Sequence, residues 1–135
     1  MYRSPVSGLR SPCKRDVEMV SKFEDLEVWK RAARLAVDVY KMFSDCKDFG
    51  FKDQVTRSAL SVASNIAEGY ERGSNNDFIR FLNIARGSCG ELRTQICIGI
   101  EIGYVEKGIG MRLIEETKHI SAMLTNLIRT RRERF

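Results

Sequence analysis

From Leu26 onward the apolar residues recur at steps of three and four: Leu26, Trp29, Ala33, Ala36, Tyr40 and Phe43. That spacing returns to one side of an α-helix and predicts a first helix over about 25–44 with this seam, Trp29 included, in its core. A parallel stripe of Val28, Ala32, Leu35, Val39 and Met42 makes the apolar face wider than one neighbouring helix covers. Asp25 stands at the N-cap position, where a carboxylate accepts first-turn amides. The period lapses between Asp45 and Phe51, around Gly50, which reads as a connection.

A second helix is expected over about 53–72, with Val55, Ala59, Val62 and Ile66 on one seam and Gly69 and Gly73 ending it. Ser74 followed by Asp77 has capping-box spacing and opens a third helix over about 75–103. Its seam of Phe78, Leu82, Ala85, Cys89, Leu92, Ile96 and Gly99 makes it the most buried of the set. Beyond Gly108 and Gly110, the residues Leu113, Thr117, Ile120, Leu124 and Leu127 mark a fourth helix over about 107–130. No segment sustains period-two alternation. Four helices with short connections imply an all-α, antiparallel up-down-up-down four-helix bundle. The small residues Ser58, Ser61, Ser64, Ala85, Gly87, Ser88 and Gly90 read as places of close backbone approach. The spare stripe on helix one reads as a contact between copies, hence a homo-oligomer.

Charge adds a division that periodicity does not show. The formal net charge of +5 is concentrated at the termini. Residues 1–22 hold Arg3, Arg10, Lys14, Arg15 and Lys22 against Asp16 and Glu18, with both prolines, and read as a disordered or loosely ordered basic arm. Met19 is an alternative start, so the earliest residues are not required to be translated. Residues 129–135 carry Arg129, Arg131, Arg132 and Arg134 against Glu133, a basic C-terminal tail. The bundle between them, 23–128, has 14 basic and 15 acidic side chains. Clustered cations bind phosphate backbones without reading sequence.

Other chemistry is narrowed by what the chain holds. Four cysteines, at positions 13, 46, 89 and 97, form no Cys-x-x-Cys, and His119 is the single histidine, so neither a metal site nor a cofactor is expected. The most apolar stretch, Thr94 to Val105, is too short for a membrane span and carries Glu101. Residues 1–22 lack the apolar run of a signal peptide, which points to the cytoplasm and reduced thiols. Cys89 and His119 are the one nucleophile–base pair on offer, yet Cys89 lies on a Leu and Ile seam and reads as core. Gly87-Ser-Cys-Gly90 copies an RNA-clamping Gly-x-x-Gly, but inside a helical pattern. The chain is therefore expected to be non-enzymatic.

Three runs resemble a known family. They are Asp53-Gln-Val-Thr-Arg-Ser-Ala59; Ser64-Asn-Ile-Ala-Glu-Gly69 with Arg72; and Phe78 with Phe81-Leu82, Ile84-Ala85, Gly87-Ser88 and Glu91-Leu92. With Phe23, Leu26, Val28 and Trp29 they resemble the four-helix-bundle family encoded by intervening sequences in bacterial large-subunit rRNA genes, over roughly 23–128. That family is similar to the accessory variability determinant of diversity-generating retroelements, a partner of nucleic acid and reverse transcriptase. The resemblance implies a cytosolic bundle closing as a ring, most simply a pentamer, with no enzymatic activity. It also marks Asn65, Glu68, Gly69 and Arg72 as structural motif residues.

On the residues themselves, Asn65 and Glu68 share a face of helix two and are placed to bond the amides of the loop from Tyr70 to Asn75. Arg86 and Arg93 share a face of helix three, with Arg80 near it, and make a second basic patch beside the four tail arginines. The expected function is RNA or DNA binding, or an accessory role to it, through tails and patches whose copies add avidity on a ring. The rival expectation is a protein-interaction scaffold that docks a partner protein and never touches nucleic acid. A small-molecule hydrolase is a weaker third.

Overall fold

A computed structural model describes residues 22–135, so the arm expected over 1–22 lies outside the described residues apart from Lys22. A single 3-10 turn, Phe23–Asp25, leads into four α-helices: α1 Glu27–Met42, α2 Phe49–Glu71, α3 Asn75–Glu101 and α4 Lys107–Arg134. No strand occurs among the described residues. α2 packs on both α1 and α3, and α4 on both α3 and α1, so the helices surround one core in chain order. Along α2 and α3 the contacts run oppositely, from Ser58 with Glu91 to Ser61 with Ser88 to Gly69 with Phe81. The α3–α4 contacts do the same, from Arg93 with Thr117 to Arg86 with Thr125 to Asn75 with Arg131.

The core is the period made solid. All seven residues of the expected α3 seam are buried, with Leu82, Ala85, Cys89, Leu92 and Ile96 fully enclosed. They meet Val55, Val62 and Ile66 of α2 and Ile120 and Leu124 of α4. On α4 the last seam position shifts by one, with Ile128 buried and Leu127 only partly so.

On α1 the two stripes exchange roles. Val28, Ala32, Leu35 and Val39 form the core line together with Ala36 and Phe43. Of the seam expected there, Trp29 and Ala33 are half-buried at the rim and Tyr40 is 47% exposed. α1 faces α2 and α4 at once, so its innermost line bisects the broad apolar face instead of following one edge of it. Trp29 is engaged from outside by Phe23, edge to face with centroids 5.3 Å apart.

Helix ends differ from expectation in four places. Asp25 is not the N-cap of α1: Leu26 holds that position without a side-chain cap, because the 3-10 turn satisfies its amides by backbone bonds, Leu26 N–H to Phe23 O at 3.0 Å among them. α2 begins at Phe49, since Asp48 caps the Phe51 amide at 3.1 Å and Gly50 is tolerated in the first turn. Gly69 does not end α2 but lies buried within it, and Gly73, at φ 82°, makes the turn. Ser74 does cap α3 through the Asp77 amide at 3.1 Å, while the Asp77 carboxylate pairs with Arg80 instead of returning to the cap.

The fourth difference bears on function. Residues 129–134, expected as part of a separate tail, are the last turns of α4. Arginine is a good helix former and favours the negative end of the helix dipole, so a basic run here extends the helix. Gly87 and Gly90 differ as well: a Cβ added at either meets nothing within 4 Å, so they face open space instead of a packed neighbour. The close approach is at Gly69, where an added Cβ would lie 2.5 Å from Phe81 Cβ.

Candidate nucleic-acid interface

The end of α2, the start of α3 and the end of α4 meet at one end of the bundle, and arginines from all three converge there. Arg131 is the hub. Its Nε donates to Asn75 Oδ1 at 2.8 Å, and Asn75 Nδ2 donates back to the Arg131 carbonyl at 3.0 Å. The Arg131 guanidinium lies over Phe78, 5.0 Å from the ring centre, and over Phe135 at 3.9 Å. Arg72 and Arg80 both sit over Phe81, at 4.9 and 4.5 Å. Each also touches a carboxylate, Arg72 with Glu68 at 2.9 Å and Arg80 with Asp77 at 3.3 Å.

Arg129, Arg132 and Arg134 are exposed on the same last turns. Arg129 donates to Asn126 at 2.6 Å. Arg132 and Arg134 make no hydrogen bond or ion pair among the described residues, so their donors face solvent. The four C-terminal arginines expected as a tail are thus held on a helix, with Arg131 against the Phe78 and Phe135 rings, and with Arg72 and Arg80 on Phe81 beside them.

The residues of the second expected patch each have partners within the bundle. Arg80 lies at the basic end, away from Arg86 and Arg93. Arg86 donates to Asn83 at 2.8 Å and to Thr125 at 3.1 Å, and Arg93 donates to Thr117 Oγ1 at 3.0 Å. Thr117 is fully buried, so Arg93 serves the α3–α4 seam, and Arg86 bridges the same pair of helices.

The motif residues also take other roles than expected. Asn65 donates to Ser61 carbonyl and hydroxyl, both at 2.8 Å, and does not reach the loop amides. Ser61 in turn shares a hydrogen bond with Ser88 at 2.8 Å, which makes a polar rung between α2 and α3. Glu68 holds Arg72 one turn on. Gly69 provides the close approach to Phe81, the ring under Arg72 and Arg80, so Glu68, Gly69 and Arg72 border the basic end and Asn65 lies away from it on the rung. Beside the rung, Gln95 Oε1 is buried without a hydrogen-bond partner among the described residues.

Cys89 and His119 do not form a pair. The Cys89 thiol is buried against the Thr117 carbonyl at 3.7 Å, burial pushes it up to about 11, and His119 is exposed on α4. Among the described residues no three His, Cys, Asp or Glu side chains gather where they hold a metal, and no helix is long and apolar enough to cross a membrane. Sequence reasoning missed Arg31, Arg34 and Arg112, which the packing of α1 on α4 brings to one cleft. Arg31 and Arg34 are close in sequence, but nothing in the chain announces that Arg112 joins them.

No curated protein matches the chain. The structure is similar to the crystal structure of a protein of unknown function from the S23 ribosomal protein family of Bacteroides thetaiotaomicron VPI-5482. The TM-score is 0.70 at 27% identity, covering 75% of this chain and 97% of that one. The family model described as "23S rRNA-intervening sequence protein" matches residues 24–126, from the turn before α1 into α4, and stops short of the arginines at 129–134. With the match spanning all four helices, the chain belongs to the 23S rRNA-intervening sequence protein family.

Proposed function

We propose that this protein is a non-enzymatic, homo-oligomeric bundle of up-down-up-down helices that binds RNA through the arginine-rich end of each subunit. The observation that carries this reading is the convergence of Arg72, Arg80 and Arg131 with the solvent-facing Arg132 and Arg134 on one end. Arginines whose backbone is fixed in a helix lose less freedom on meeting phosphate than arginines on a loose tail. A ring, for which the family resemblance suggests five copies, would repeat that end and raise avidity, because later contacts become intramolecular. Support for self-association comes from the outer face of α3, where Ile84, Ile98 and Ile102 are exposed on the side that carries Gly87. Leu60 and Tyr40 are exposed on α2 and α1 as well.

The test is fluorescence anisotropy of a labelled structured RNA against the full chain over a salt series. Binding whose log affinity falls linearly with log salt is expected, and Arg132→Gln with Arg134→Gln should reduce the slope by about one for each phosphate that is no longer neutralised. Unchanged affinity in that variant removes the end as the site. No binding at low salt, with stoichiometric capture of a protein partner free of RNA, favours the scaffold reading instead.

A further inference from the structure

α1 packs least closely against α4, and the space between them opens as a cleft. One part, about 300 Å³, is lined by Arg31, Arg34, Leu35, Asp38, Arg112 and Glu116, together with Leu113. A second part, about 350 Å³ and open to solvent, shares Asp38, Arg112 and Leu113 with the first and is lined besides by Lys41, Met42 and Ile109. The cleft thus has a guanidinium end and an apolar end, with Asp38 between them. Its size falls in the range of small-molecule sites, roughly 300–1,000 Å³.

The guanidinium end holds more donors than its own carboxylates use. Arg31 spans the gap to Glu116 with two bonds, Nε at 3.0 Å and Nη2 at 2.7 Å, which leaves most of its five N–H groups unengaged. Burial raises the Asp38 carboxyl and Lys41, Arg34 and Arg112 are near enough to offset part of that rise, yet Arg34 and Arg112 form no hydrogen bond or ion pair among the described residues. Two exposed guanidinia and the rest of a third therefore face one cavity. Planar forks suit the paired oxygens of a phosphate.

We infer that the α1–α4 cleft is a binding site for a nucleoside phosphate, with the phosphate on Arg31, Arg34 and Arg112 and the base against Met42, Ile109 and Leu113. The position of Asp38 sets the class of ligand. Asp38 is exposed where the two parts of the cleft meet and can accept hydrogen bonds from ribose hydroxyls, which the acyl chain of a phospholipid cannot donate. An inorganic phosphate fills only the guanidinium end. The site is distinct from the arginine-rich end on α4, so either can fail without the other.

Isothermal titration of the full chain with ADP, with inorganic phosphate and with a structured RNA tests this. ADP is expected to bind at least tenfold more tightly than inorganic phosphate. Arg34→Gln and Arg112→Gln should each weaken ADP about tenfold and leave RNA affinity unchanged. Ile109→Ser, at an exposed position, should lower ADP affinity while phosphate binding stays as it was. Equal affinity for ADP and phosphate, or no ADP binding by a folded wild-type chain, overturns the inference. So does a change of oligomeric mass in the arginine variants with ADP affinity intact, because the cleft is then a subunit contact.

Discussion

Asn75 and Arg131 hold each other in both directions: the side-chain amide donates to the arginine carbonyl at 3.0 Å and the guanidinium donates to the amide oxygen at 2.8 Å. The pair fastens the last turns of α4 to the first turn of α3, at a point where a helix end otherwise frays. Asn75→Ala should release those turns. Amide hydrogen exchange of residues 128–134 is expected to quicken while that of the α3 core stays slow, and stability should fall by about 1–2 kcal/mol. Unchanged exchange in 128–134 would show that the Phe78 and Phe135 contacts alone hold the arginines in place.

Gly69→Ala should be among the most damaging single-methyl additions in the bundle. The new Cβ would meet Phe81 Cβ at 2.5 Å, and an atom bonded to the backbone cannot swing aside. Gly110 is a useful contrast, because the nearest atom there is Ile100 Cδ1 at 2.6 Å, the far end of a side chain that can change rotamer. Thermal or denaturant unfolding should show Gly69→Ala losing about 1–3 kcal/mol, and Gly110→Ala less. Equal losses would mean that α2 and α3 separate easily at Phe81.

What the sequence discloses follows the range of the interaction. The α3 seam from Phe78 to Gly99 is legible because burial repeats every turn, and the Ser74 cap because a capping residue directly precedes that period. Asp25 misleads because a 3-10 turn, stabilised by its own backbone, displaces the start of α1. The run from Arg129 to Arg134 has the same charge as helix or as coil, and its fixed position depends on Asn75, 56 residues before Arg131. Arg86 and Arg93 look like a surface patch on one helix, and only α4 supplies the Thr125 and Thr117 acceptors that engage them. The α1–α4 cleft is least legible, since Arg34 and Arg112 are exposed positions on helices far apart in the chain.

The cysteines should separate by environment on alkylation. Cys89 is enclosed and its thiol is pushed up to about 11 by burial, so at pH 8 only roughly one in a thousand would be thiolate even if reagent reached it. Cys97 is exposed on the same helix. Iodoacetamide at pH 8 followed by peptide mass mapping should find Cys97 modified and Cys89 protected until the chain is unfolded. Rapid labelling of Cys89 in the folded protein would show that α3 and α4 part around Thr117.

Asp38 offers a stability prediction with a definite sign. Partial burial raises its carboxyl above the ordinary 3.8, and Lys41 and Arg34 on α1 with Arg112 on α4 do not fully offset that rise, while Glu116 adds to it. A carboxyl whose folded pKa is raised binds its proton more tightly in the native state. Its favourable contribution is complete below the unfolded value and is lost as pH rises through the raised one. At neutral pH the charged form is therefore a small burden that Asp38→Asn removes. The side chain remains partly solvated, so the gain in melting temperature at pH 7 should be only about 1–2 °C. The gain should shrink as pH falls through the carboxyl range and vanish below about the ordinary value. Removing the charge also removes its repulsion of an anion at the guanidinium end, so ADP should bind Asp38→Asn more weakly only if the carboxylate bonds the ribose, and more tightly if phosphate contact dominates. A destabilised variant at pH 7 would mean instead that the surrounding cations outweigh the burial.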